Sequence, residues 1–139
     1  MKRFAKLFAH NREWAERVIR QDPDFFQRLV SQQHPDFLWI GCFENVKDKH
    51  RECLRVLPDA QTQHDRLCEL NVVEQVRNLC RIEAMQKGWA RGQLIMVHGC
   101  IYDLRDGLLQ DLAVNISSAE EVEPCCAEAV AKINAKSGQ

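Results

Sequence analysis

The sequence predicts an α/β fold, a small mixed sheet of about three to four strands flanked by helices. Three observations predict it. Phe37-Leu38-Trp39-Ile40 and Leu94-Ile95-Met96-Val97-His98 are short apolar runs ending at Gly41 and Gly99, the pattern of strands covered on both faces. Leu112, Val114 and Ile116 alternate with Asp111, Ala113 and Asn115, the period of a half-buried strand. Leu67, Leu70, Val73, Val76, Leu79, Cys80 and Ile82 recur at three- and four-residue spacing, the period of a helix with an apolar face.

Taken in order, residues 3–20 place Phe4, Leu7, Phe8, Trp14, Val18 and Ile19 among charges at helical spacing. Asp22-Pro23-Asp24 breaks that helix and starts another through Phe25, Phe26, Leu29 and Val30, which His34-Pro35 stops. The run 37–40 is a strand whose C-terminal end, at Gly41-Cys42, is where α/β sheets place their chemistry. Residues 44–57 read as a helix with Val46, Cys53, Leu54 and Leu57 on one side, ended by Pro58-Asp59. A long helix is expected from about Thr62 to Ala90, with Gly88 and Gly92 near its end. Strands follow at 94–98, 101–104 and 109–116, with Arg105-Asp106-Gly107 as turn chemistry. Ser117 or Ser118 caps a last helix, with Glu121 completing a capping box. The expected organisation is one domain spanning 1–139.

Composition narrows the function classes. The chain has 139 residues, 19 basic against 20 acidic, and a formal charge of -1, a balance that speaks against a nucleic-acid or anionic-membrane surface. No window approaches the ~18 apolar residues of a membrane span, and the basic N-terminus lacks the apolar stretch of a signal peptide, so a cytoplasmic protein is expected. The seven cysteines are odd in number and form no CxxC pair, which argues against a disulfide framework.

Two long blocks carry a resemblance. The first runs from Asn11-Arg12-Glu13-Trp14 through Asp22-Pro23-Asp24-Phe25-Phe26 to Pro35-Asp36-Phe37-Leu38-Trp39-Ile40-Gly41-Cys42. The second runs from Leu67-Cys68-Glu69-Leu70-Asn71-Val72-Val73-Glu74-Gln75-Val76 through Trp89-Ala90-Arg91-Gly92-Gln93 to His98-Gly99-Cys100-Ile101-Tyr102-Asp103-Leu104-Arg105-Asp106-Gly107. Lys47-Asp48-Lys49-His50-Arg51 matches the helix between them. In content and order these blocks resemble the bacterial type of β-class carbonic anhydrase. The resemblance implies a reduced version of that fold and, as the family activity, zinc-dependent reversible hydration of CO2 to bicarbonate. After the Gly-Cys position the family continues Ser-Asp-Ser-Arg, then carries a long segment containing a His-x-x-Cys motif. Here Gly41-Cys42 is followed by Phe43-Glu44-Asn45-Val46, and by the family's proportions roughly 80 residues of a ~200-residue domain are missing.

The family holds zinc with two Cys and one His, and a catalytic zinc needs about three protein ligands and an open position. Cys42 alone carries over as a ligand, and its preferred reading is a vestigial buried thiol at a strand end. Glu44 stands at the family's Asp position, where it is the candidate catalytic carboxylate, but Val46 replaces the Arg partner. His98 and Cys100, two apart on a strand, can share one face and with Cys42 make a substitute Cys-His-Cys set. Against this set, His98-Gly99 aligns with a later family strand at which no metal sits. His10, His34, His50 and His64 lie among polar residues and read as solvated, and Asp103, Asp106 and Asp111 read as turn residues. Two functions compete: an enzyme acting on CO2 and bicarbonate with zinc, and a catalytically deficient interaction protein. For the second, the resemblance implies a homodimer or higher oligomer built on the N-terminal helices. A truncated product without an independent role is the third reading.

Overall fold

The computed structural model describes the backbone of residues 2–31 and 43–136, and the side chains of 5–30 and 45–136. Seven helices and two strands lie in this part of the chain. Its contacts divide into two units: α1 (Lys2–Gln21), α2 (Phe25–Ser31) and the hairpin tip Ile101–Gln110 in one, the helices from Phe43 onward and the rest of the hairpin in the other. None of the described helices is long and apolar enough to cross a membrane.

In the first unit, the Asp22-Pro23-Asp24 break falls where the sequence places it. Asp22 pairs with Arg28 of α2, which holds the Asp22 carboxyl below its ordinary range. Trp14 and Phe25 both meet Phe26 edge-on, at ring separations of 5.9 and 5.1 Å, and Phe26 is buried. The turn glycine Gly107 lies at φ 70°, and a Cβ there would run into the Phe26 ring. The turn therefore requires glycine twice, for its backbone angle and for the close approach. Asn11 ties α1 to this hairpin: its amide nitrogen donates to the Gly107 carbonyl (3.0 Å) and its oxygen accepts from the Leu109 N–H (2.7 Å).

The second unit packs α5 (Ala60–Arg81) against α7 (Val122–Ala135), with the β2 residues Val114 and Ile116 fully buried alongside Leu70, Val73, Cys80 and Cys126. Asp59 caps α5 by accepting from the Thr62 N–H at 2.8 Å. Two expected helices are each broken. Residues 44–57 form α3 (Phe43–Lys49) and α4 (Arg51–Arg55) on either side of His50. The 62–90 helix stops at Ile82, whose backbone is extended (φ −66°, ψ 147°), and resumes as α6 (Glu83–Ala90). The Gln86 side chain donates to the Cys80 carbonyl at 2.6 Å, satisfying a group that the interrupted helix leaves open. The box at the last helix also shifts. Ser117 donates both its N–H and its hydroxyl to Glu121, at 2.7 and 2.8 Å, but α7 begins only after Glu121.

Of the expected three to four strands, the described residues hold two. They form an antiparallel pair, β1 (Val97–Asp103) and β2 (Leu108–Ile116). The strands expected at 94–98 and 101–104 are one strand, because Gly99 does not break it. A Cβ at Gly99 would lie 3.0 Å from the Val114 Cβ, so the glycine marks a close approach within the sheet. Residues 94–96 fall outside the strand because their backbone groups bond locally: the Ile95 N–H donates to the Gln93 carbonyl (2.9 Å), and the Trp89 indole donates to the Ile95 carbonyl (2.9 Å). The strand expected at 37–40 lies outside the described residues.

Candidate metal centre

Alternation along β1 sorts its side chains. Val97 and Gly99 are buried, whereas His98 and Cys100 share the other, half-covered face, as their spacing predicts. Asn115, across the hairpin on β2, holds His98: its side-chain oxygen lies 2.5 Å from His98 Nδ1. An acceptor oxygen facing Nδ1 suits the neutral tautomer with its proton there, which is the tautomer that binds a metal through Nε2. Cys100 is less suited. Burial, and then the charge of Asp111, push its thiol above the ordinary range, which opposes the thiolate a zinc ion needs.

Donor count decides the fit. Among the described residues no group of three or more His, Cys, Asp or Glu side chains converges so as to hold a metal ion. Among the described residues His98 and Cys100 therefore offer two donors, where a catalytic zinc requires about three. Cys42 lies outside the described residues; Glu44 falls in the first turn of α3, and its side chain is likewise outside them. The described cysteines, Cys53, Cys68, Cys80, Cys100, Cys125 and Cys126, are all free.

Of the carboxylates around the hairpin, Asp103 and Asp106 serve its turn, as expected, whereas Asp111 lies inside β2. Asp103, Asp106 and Asp111 accept from the backbone N–H groups of Arg105, Leu108 and Ala113, at 2.8, 2.9 and 2.8 Å. The reading of His50 as solvated is corrected. Only 8% of it is exposed, and its Nε2 lies 3.3 Å from Glu74. Glu74 also accepts from Arg77 (2.5 Å) and Lys49 (2.8 and 2.9 Å). Burial alone would push the Glu74 carboxyl up; the hydrogen bonds from Arg77, Lys49 and His50 outweigh it and hold it at about 2. This buried ionic cluster is the densest electrostatic feature among the described residues. The available sequence signal was the placing of Glu74 and Arg77 inside the apolar stripe of α5, where charges are buried only when paired.

Comparison with known proteins places these elements. The carbonic anhydrase family model matches residues 29–109. A carbonic anhydrase of Emericella nidulans is 31% identical over 190 residues, covering 79% of this chain and 83% of the relative. Since 79% of 139 residues is about 110, roughly 80 of those 190 positions have no counterpart here. Among solved structures, a Coccomyxa β-carbonic anhydrase in complex with acetazolamide matches at a TM-score of 0.56 and 36% identity, over 59% of this chain. The chain spans 36% of that structure's length. With a family match running from α2 to the start of β2, over more than half of its length, the chain belongs to the carbonic anhydrase family, and its sequence and fold are those of the β class.

Proposed function

We propose that this chain is a catalytically deficient β-carbonic anhydrase, descended from enzymes that hydrate CO2 reversibly with zinc, and that it acts as a single truncated domain over residues 1–139. One observation carries the reading. About 80 positions of the Emericella relative have no counterpart in this chain, the sequence after Cys42 lacks the Ser-Asp-Ser-Arg, and its one His-x-x-Cys spacing, His50-Arg51-Glu52-Cys53, has the imidazole against Glu74 and the thiol on the His50 carbonyl. Cys42 remains as one ligand and Glu44 stands in the catalytic carboxylate's place, with His98 and Cys100 as substitute donors. Residual CO2 or bicarbonate chemistry would need all of them to converge.

The second reading, a non-catalytic interaction protein, is favoured by α1 and α2. Leu7, Ile19 and Val30 are each at least 40% exposed there, apolar surface suited to a second copy of the chain. The homodimer and the cytoplasmic setting belong to this proposal, as does the absence of nucleic-acid and membrane partners. Light scattering of the purified chain before and after treatment with a zinc chelator tests it. A dimer indifferent to chelation supports the interaction reading; a monomer, or a dimer that dissociates on chelation, overturns it.

A further inference from the structure

A cavity of about 520 Å³ opens between α3, α4 and α5 in the second unit. That volume falls within the ~300–1,000 Å³ of small-molecule sites. Its floor is apolar, formed by Leu54 and Leu67, both buried. Its rim is basic: Lys47, Arg51 and Arg55 line it beside the His64 ring, and no acidic side chain does. In a chain whose formal charge is -1, this concentration of cations is local and not inherited from composition.

The charges at the rim are available. Arg51 pairs with Asp48 at 2.5 Å and Arg55 with Glu52 at 3.6 Å, but all four side chains are more than half in water, so these pairs are screened and exchange readily. Lys47 is exposed. A guanidinium grips a carboxylate in two parallel hydrogen bonds, a stronger and more directional contact than Lys provides. An inorganic anion would leave the leucine floor uncovered, and a cation would meet three like charges.

We infer that this cavity binds a small organic anion with an apolar body, a medium-chain carboxylate. Its carboxylate meets Arg51, Arg55 and Lys47, and its hydrocarbon lies over Leu54 and Leu67. The site is independent of zinc and of the reading of the chain as a deficient enzyme.

The test is an NMR titration of the full chain, with sodium octanoate and separately with octylammonium chloride, each below its micelle-forming concentration and at equal ionic strength. Octanoate is expected to shift the Leu54 and Leu67 methyls and the Gln63 side-chain amide saturably, and octylammonium to leave them in place. The double variant Lys47→Gln/Arg51→Gln, both on exposed side chains, is expected to bind octanoate about tenfold more weakly. Arg17→Gln on α1 is expected to bind it unchanged. An equal response to octylammonium, shifts centred on other residues, or full affinity in a double variant whose remaining spectrum is unchanged would each overturn the proposal.

Discussion

Glu74→Gln keeps the size of a buried side chain and removes the charge that Lys49, His50 and Arg77 share. The carboxyl is held at about 2 against an ordinary 4.5, a gap worth roughly 3 kcal/mol between its two protonation states. Not all of that is stability. Lys49 is half in water, so its share is screened, and roughly 2 kcal/mol remains. The sign follows from a depressed acid. Its stabilisation is complete above about pH 4.5, the unfolded value, and is lost as pH falls toward about 2, the folded one. Urea unfolding followed by tryptophan fluorescence measures it. At pH 7 the variant is expected to be less stable by about 2 kcal/mol, and the difference is expected to shrink steadily between pH 5 and pH 3. A difference below about 0.5 kcal/mol at pH 7, or one of the same size at pH 3, would refute the assignment of this cluster as a net stabilising charge network.

Two further substitutions test the hairpin. Gly107→Ala forces a Cβ at positive φ into the Phe26 ring and is expected to cost about 2 kcal/mol or more in thermal unfolding, with loss of the near-ultraviolet circular dichroism of Trp14 and Phe26. Ala113 holds φ 59° within β2, a strained angle for a residue with a Cβ, so Ala113→Gly is expected to raise stability by about 0.5–1 kcal/mol in the same assay.

Local chemistry was legible wherever it depended on neighbours in sequence. The Asp22-Pro23-Asp24 break, the alternation of Leu112, Val114 and Ile116, and the turn duties of Asp103 and Asp106 all follow from residue type and spacing. The break at Ile82 was not legible, because no glycine or proline marks it; the apolar period runs straight through, and the Gln86 bond to Cys80 is made in three dimensions. Gly99 was misread as a strand end because a glycine that ends a strand and one that admits a close neighbour look alike in sequence. His50 misled for a similar reason: charged neighbours along the chain suggested solvent, whereas Glu74, 24 residues on, buries it. At the candidate metal centre, the shared face of His98 and Cys100 was legible from strand period. Convergence of a third donor depends on how the elements pack, which no local pattern states; among the described residues none converges.

The central claim is that this chain belongs to a zinc enzyme family without retaining the zinc site. Zinc content per chain, measured on the purified protein together with CO2 hydration on the same sample, tests it most directly. The account predicts zinc far below one ion per chain and hydration no faster than the buffer alone. One zinc per chain with hydration activity would contradict it, and would mean that Cys42, His98 and Cys100 converge on a rebuilt site.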